Sequence, residues 1–245
     1  MSLEPAEFVL SAARMVTPRI RELTLRRADG APLAFVAGQF VTLHLPHQDK
    51  LLRRSYSIAS VPQPGIHEVA IAVSHVAGGR ATGILFSAEP DARFKVTGPF
   101  GRFVLRDDPP CRYLLIATGT GVTPYRAMLP ELEARVGAGR CTVDLLLGVR
   151  GRDELLYGAE LAAAAARSSQ LRFHPCLSRV ASDALVPGER HGYVQDALRS
   201  FALDPARDVA YVCGNPEMID AVYAHLTAAG FPIANVRREK YVSSN

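Results

Sequence analysis

The run Asp107-Asp108-Pro109-Pro110 divides the chain into two stretches with different hydrophobic periods, and that change restricts the fold more than any other feature of the 245 residues. Two successive prolines remove two backbone donors and bias the chain toward extended forms, so neither a helix nor a strand ladder passes through them. Before the break, short runs rich in Val, Ile, Leu and Phe occupy 7–17, 19–27, 39–45, 54–59, 67–73 and 93–96. Turn residues separate them at Asp29-Gly30, Pro62-Gln63-Pro64-Gly65 and Gly98-Pro99-Phe100-Gly101. Six short strands punctuated in this way predict an antiparallel β-barrel, closed or nearly closed. After the break the order becomes strand, glycine turn, helix, repeated, with strands at 113–117, 142–149, 171–177, 208–213 and 235–238 and helices at 124–138, 158–167, 193–201 and 216–229. Parallel strands need crossover connections, so this alternation predicts a parallel sheet with helices on both faces, a Rossmann-like α/β domain. Two domains are expected, 1–106 and 111–245.

Composition narrows the function classes. A chain 48% hydrophobic and 21% charged can bury real cores. No run approaches the length of an apolar membrane-spanning helix, and the amino-terminal MSLEPAEFVLSAARM has acids and a proline where a secretion signal needs a basic start and an apolar core. The expectation is a cytoplasmic protein with no membrane partner. Cys111, Cys141, Cys176 and Cys213 are far apart with no close pair, which argues against a metal or iron–sulfur site and for free thiols. The net charge of +4 comes from scattered arginines rather than a stripe with interleaved aromatics, so nucleic acid is not an expected partner. An anionic cofactor or an acidic protein suits this balance, and so does solubility alone.

Four short segments carry chemistry. In the run from Arg53 to Ser60, alternation puts Arg54, Tyr56, Ile58 and Ser60 on one face and Ser55, Ser57 and Ala59 on the other. Arg54 is a planar fork able to bond two phosphate oxygens, Tyr56 a flat ring able to stack, and Ser57 a hydroxyl that both donates and accepts, as a protonating ring nitrogen requires. The same run also reads as an amphipathic strand with a surface Arg and a half-buried Tyr. Gly78-Gly79-Arg80-Ala81-Thr82 opens a short helix and exposes backbone N–H groups, an anion site or simply a hairpin loop. Leu114 to Pro124 is an apolar strand running through Thr118-Gly119-Thr120-Gly121-Val122-Thr123 into a helix, where glycines let the backbone approach a diphosphate. The third glycine of the dinucleotide fingerprint is absent. Val212-Cys213-Gly214-Asn215-Pro216-Glu217-Met218 repeats the strand-to-helix arrangement, and ligands gather at such carboxyl ends. Cys213 is there either a small packing residue or part of the wall at the reactive end of a dinucleotide.

Taken in order, Arg54-Ser55-Tyr56-Ser57, Gly79-Arg80-Ala81-Thr82, Gly98-Pro99-Phe100-Gly101, Gly119-Thr120-Gly121-Val122-Thr123-Pro124 and Cys213-Gly214-Asn215-Pro216-Glu217-Met218 resemble the ferredoxin–NADP reductase superfamily over nearly the whole chain. The resemblance implies an FAD-binding barrel followed by an NADP-binding domain. It implies that Arg54 binds the FAD pyrophosphate, Tyr56 stacks beside the isoalloxazine and Ser57 bonds near its N5. Ala72, Val73, Ser74 and the turn Gly79, Arg80, Ala81 and Thr82 would hold the rest of the FAD. Thr118, Gly119, Thr120, Gly121 and Thr123 would take the nicotinamide dinucleotide together with Gly214, Asn215 and Met218, with Cys213 near the reacting carbon. Ser178, Arg179, Arg150 and Tyr193 would surround the adenosine ribose and its phosphate. Glu239 would touch the nicotinamide or relay a proton, or else be a solvated partner of Arg237 or Lys240. The tail runs past Tyr241 instead of stopping at the aromatic as in plant-type members, and it is similar to tails of bacterial reductases and oxygenase reductase components; Tyr241 would lie against the flavin.

The resulting expectation is a monomeric flavoprotein exchanging hydride with NADP(H) and single electrons with an acidic carrier, ferredoxin or flavodoxin. A reductase that feeds an oxygenase or reduces free flavin is the alternative within enzymes. A nucleotide-binding regulatory subunit without turnover is the alternative from another class.

Overall fold

A computed structural model describes residues 4–242. They fall into two compact units, one running up to Leu105 together with Thr123–Met128, the other holding Arg106–Val122 and the residues from Leu129 onward. No helix among the described residues is long and apolar enough to cross a membrane.

The first unit is built from β1 (Ala6–Thr17), β2 (Ile20–Arg27), β3 (Phe40–His47), β4 (Lys50–Ser57), β5 (Glu68–Ser74), α1 (Arg80–Ser87) and β6 (Arg93–Phe100). The strands pair antiparallel in the order β4-β3-β6-β1-β2-β5. Alternation decides which side chains enter the core: Phe8 and Leu10, Leu23 and Leu25, Val41, Leu43 and Leu45, Phe94 and Val96 are all buried, with polar or less buried neighbours between them. Full burial of each such side chain contributes roughly 1.5–3 kcal/mol. The two outer strands of the order meet, because Ile58 just past β4 bridges Ile71 of β5 and the Ala59 N–H donates to the Ala70 carbonyl at 2.8 Å. The expected barrel therefore closes. β4 starts four residues before the expected strand. Gln48 takes φ 52° and lets Gln48-Asp49 act as a two-residue turn that pairs His47 with Lys50. Glycine is the usual signal for such a turn, and none is present.

The second unit comprises β7 (Cys111–Thr118), β8 (Cys141–Val149), α3 (Gly158–Arg167), β9 (Leu171–Leu177), β10 (Arg190–His191), α4 (Val194–Leu198), β11 (Asp208–Gly214), α5 (Pro216–Ala228) and β12 (Val236–Lys240), together with the part of α2 (Thr123–Gly137) from Leu129 onward. All of its strand pairs are parallel, in the order β10-β9-β8-β7-β11-β12. Tyr113–Ala117 and Val209–Cys213 are buried without interruption, as central parallel strands covered on both faces must be. Near the amino ends of these strands the buried Asp144 accepts two 2.7 Å hydrogen bonds from Arg172 and one of 2.9 Å from His174 Nε2, while Arg112 Nε donates to Asp208 at 2.9 Å. This charge network fixes one end of the sheet and leaves the turns at the other end free for ligands. Chain order reverses between β7 and β11, the position in an open α/β sheet where a ligand crevice forms.

Candidate functional site

In the first unit, β4 carries Arg54 and Tyr56 beside Leu43 and Val41 of β3, and Ser57 closes the strand almost fully buried. Burial pushes the Tyr56 phenol up to about 12 against the opposing pull of the Arg54 cation, so its ring stays neutral and uncharged at the hydroxyl. One Arg54 donor is given to the Arg53 carbonyl at 2.9 Å. Val73 and Ala72 are buried near the end of β5, and Ser74 is exposed there. The bridge from Ile58 to Ile71 brings the ends of β4 and β5 together. The start of α1 follows β5 and has no side-chain cap, so the first N–H groups at Arg80, Ala81 and Thr82 are unclaimed by a capping side chain. Gly79 is required in that turn, since a Cβ there would lie 2.6 Å from Thr82 Oγ1 and 2.9 Å from Val76 Cβ. The Thr82 hydroxyl is buried and faces the Val76 and Gly79 carbonyls at 3.1 and 3.0 Å, which makes it a brace of the turn as much as a ligand group.

In the second unit, the two glycine turns read from the sequence lie side by side. β7 and β11 pair so that Ala117 is opposite Cys213. A Cβ on Gly121 would fall 2.2 Å from the Cys213 carbonyl oxygen, and one on Gly214, at φ +128°, 2.5 Å from Thr118 Oγ1. The Asn215 N–H donates to that same Thr118 hydroxyl at 3.0 Å. Gly119 has φ +52°, turning the chain into α2 through Gly121 and Val122. Thr123 Oγ1 at the helix start is buried without a hydrogen-bond partner among the described residues. Two expected ligand residues prove to have structural work: the Asn215 side chain caps α5 by accepting from the Glu217 and Met218 N–H groups at 2.8 and 3.1 Å, and Met218 is buried in the apolar core behind the sheet. Cys213 is fully buried. Burial, and after it the Glu239 carboxylate, raise its thiol well above the ordinary value.

The carboxyl ends of β8 and β9 gather the expected adenosine residues. Ser178 N–H donates to the Val149 carbonyl at 3.0 Å and Arg179 N–H to the Arg150 carbonyl at 2.9 Å. Tyr193 is 60% exposed and directly follows Gly192, whose N–H donates to the Leu177 carbonyl at 3.1 Å, so it stands on the same rim.

Two domain families match this chain: an oxidoreductase FAD-binding domain over residues 7–105 and an oxidoreductase NAD-binding domain over residues 115–224. Ferredoxin–NADP reductase B of Sorangium cellulosum is 37% identical over 97% of this chain and 98% of its own length. The chain belongs to the ferredoxin–NADP reductase family. The toluate 1,2-dioxygenase electron transfer component of Pseudomonas putida is 30% identical to this reductase over 96% of the chain and 67% of its own length. The crystal structure of an Amycolatopsis cytochrome P450 reductase superposes with a TM-score of 0.85 at 28% identity, covering 98% of this chain and 71% of that one.

The reductase is an oxidoreductase with FAD and NAD(P) as its cofactors, and the residues present fit both groups. A flat neutral ring, a cation and an uncapped helix start in the first unit suit a flavin and its phosphates. In the second, the glycine turns leave room for backbone to approach a diphosphate. Sequence reasoning missed two residues here. Gly148 allows Thr118 Cγ2 and Val194 Cγ1 to close in, to 3.1 and 2.9 Å of where its Cβ would be, and its signal was a glycine at a strand's carboxyl end. Glu154 holds Arg150 and gave no motif signal at all.

Proposed function

We propose that this reductase passes a hydride between NADP(H) and FAD and single electrons between FAD and a soluble acidic carrier, a ferredoxin or flavodoxin, acting as a cytoplasmic monomer with its FAD domain at 1–106 and its NADP domain at 111–245. The flavin, when bound, converts two-electron into one-electron chemistry. The chain's own residues position the reactants: Arg54 holds the FAD pyrophosphate, Tyr56 fixes the ring plane, and Ser57 exchanges a hydrogen bond at the nitrogen that gains and loses a proton. The turn from Gly79 to Thr82 and the end of β5 hold the remainder. In the NADP domain, Thr118 to Gly121 and Thr123 seat the dinucleotide, Cys213 and Glu239 stand at its reacting end, and Ser178, Arg179 and Tyr193 take the adenosine ribose and phosphate, with Arg150 on the same rim. The observation that carries this reading is the register of β7 with β11, which sets the Gly119 turn beside Cys213-Gly214.

An acidic carrier is favoured by a row of cations on the barrel. Arg53 of β4 and Lys95 of β6 are both register partners of His44 in β3, and neither cation has an ion-pair partner among the described residues. Burial first, then these two cations, depress the His44 pKa, so at neutral pH the row is two positive charges flanking a neutral imidazole.

The test is to purify the full chain, reduce it with NADPH, and follow reduction of a panel of ferredoxins, flavodoxins, free flavins and a dye. A yellow protein bleached by NADPH that turns over a ferredoxin or flavodoxin supports the reading. A colourless protein that takes up no FAD would point to the regulatory subunit instead. The likeness to the toluate dioxygenase component favours a second reading, a reductase feeding an oxygenase, which turnover of an oxygenase's own carrier but of no other would select.

A further inference from the structure

We propose that Glu154 sets the coenzyme preference of this reductase by holding Arg150 away from the phosphate that distinguishes NADPH from NADH. The inference rests on the reading that the adenosine ribose lies at the carboxyl ends of β8 and β9. Three arginines stand on or beside that rim, and two are already committed. Arg152 places Nε and Nη2 on the Glu189 carboxylate at 2.6 Å each and gives Nη2 also to the Ala184 carbonyl at 2.6 Å. Arg150 places Nε on Glu154 Oε2 at 3.0 Å and Nη2 on Oε1 of the same carboxylate. The Arg150 backbone N–H also points to Glu154 Oε2, at 3.4 Å. The third, Arg179, is exposed and its guanidinium has no hydrogen-bond or ion-pair partner among the described residues.

The backbone explains why Glu154 returns to Arg150. Gly151 is extended, the short turn Arg152–Glu154 follows at once, and the chain doubles back so that the fourth residue on covers the first. The Glu154 side chain is only 22% exposed and that of Arg150 37%, so water screens their attraction incompletely. A ribose phosphate arriving here finds one open guanidinium, and beside it a second whose fork is filled and whose charge is cancelled. To engage Arg150 it must displace a carboxylate or accept that carboxylate as a like-charged neighbour. A rim that carries three arginines in its sequence thus offers an anion little more than one.

The experiment measures binding of 2′,5′-ADP, which carries the distinguishing phosphate, and of 5′-AMP, which lacks it, by calorimetry on the full chain as wild type, Glu154→Gln and Arg179→Ala. Glutamine keeps the size and the hydrogen bond to the backbone but removes the charge. It is expected to tighten 2′,5′-ADP by about threefold or more, the worth of a partly exposed ion pair, with 5′-AMP unchanged. Arg179→Ala is expected to weaken 2′,5′-ADP alone. Unchanged or weaker 2′,5′-ADP binding in Glu154→Gln, with Arg179→Ala still selective, would overturn the role of Glu154 and leave the coenzyme reading intact. Indifference of both ligands to Arg179→Ala would remove the coenzyme reading, and this inference with it. Equal loss of both ligands in Glu154→Gln would assign Glu154 to the turn's architecture and also overturn it. If the glutamine variant does not fold, Glu154→Ala carries the same expectation.

Discussion

Cys213 on β11 and Glu239 on β12 are direct register partners, and the Tyr241 N–H closes the same corner by donating to the Gly214 carbonyl at 2.8 Å. Burial first, and then the neighbouring Glu239 carboxylate, raise the Cys213 thiol well above its ordinary value and keep it protonated at neutral pH.

Cys213→Ala is therefore expected to keep the fold and the FAD while slowing flavin reduction by NADPH, measured by stopped flow. Wild-type rates would remove Cys213 from the reacting end. The thiol also has a signature in stability. Its folded pKa lies above the unfolded value of about 8.5, so its contribution is complete below that pH and is lost as pH rises further. Urea unfolding of the wild type should show this alkaline loss, and Cys213→Ala should lack it.

Gly121→Ala should abolish tight binding of the dinucleotide. Its methyl would meet the Cys213 carbonyl oxygen at 2.2 Å, a backbone atom that cannot rotate away. The overpacking cost is roughly 1–3 kcal/mol. A variant that unfolds at the wild-type urea midpoint and binds NADPH normally would contradict the closeness of the two turns.

Arg54→Ala should weaken FAD retention by about 1.5–3 kcal/mol for each charge-assisted hydrogen bond lost. Dialysis against buffer and flavin absorbance measure it, and full occupancy at unchanged affinity would take Arg54 out of the flavin site.

Lys95→Glu should raise the KM for an acidic carrier with little change in dye reduction, and the difference should shrink as salt rises, since exposed charges are screened within about 10 Å at 0.1 M. Identical carrier kinetics at low salt would dismiss the row formed with Arg53 as a docking surface.

Asp144→Asn should cost roughly 1.5–3 kcal/mol, the worth of a charge-assisted hydrogen bond, because the buried acceptor loses its charge while the partly exposed Arg172 keeps contact with water. Burial alone would raise the Asp144 pKa, but the hydrogen bonds from Arg172 and His174 outweigh it and hold the carboxyl far below the usual range. Its stabilisation is thus complete above pH about 4, the unfolded carboxyl range, and is lost as pH falls below that. Acid unfolding of the asparagine variant should be shallower than that of the wild type.

Much of this molecule was legible in its sequence, for physical reasons. Alternation in the runs around Val41 and Leu43, and uninterrupted burial around Leu115 and Val212, are direct imprints of half-covered and fully covered strands. The turns at Gly119 and Gly214 were visible as glycines at strand ends: Gly119 turns the chain at φ +52°, and Gly214 combines φ +128° with a close approach to Thr118 that leaves no room for a side chain. What was hidden involved residues without a special backbone. Gln48 turns a hairpin that usually signals itself with glycine, the two-residue β10 is too short to show a period, and Glu154 meets Arg150 through a fold-back that leaves no mark on composition. Asn215 carries a role its motif did not display, since its side chain caps the helix that follows.

The interlocking of Gly121 with Cys213, and of Gly214 with Thr118, has a bearing on recombination. Each turn is shaped to the atoms of the other, although nearly a hundred residues of chain separate them. A hybrid reductase that took residues 118–123 from one relative and 213–218 from another would join two halves never fitted to each other, even if every junction lay in a permissive loop. Crossovers should succeed when both segments descend from the same parent and fail when they do not, whatever the overall identity of the pair.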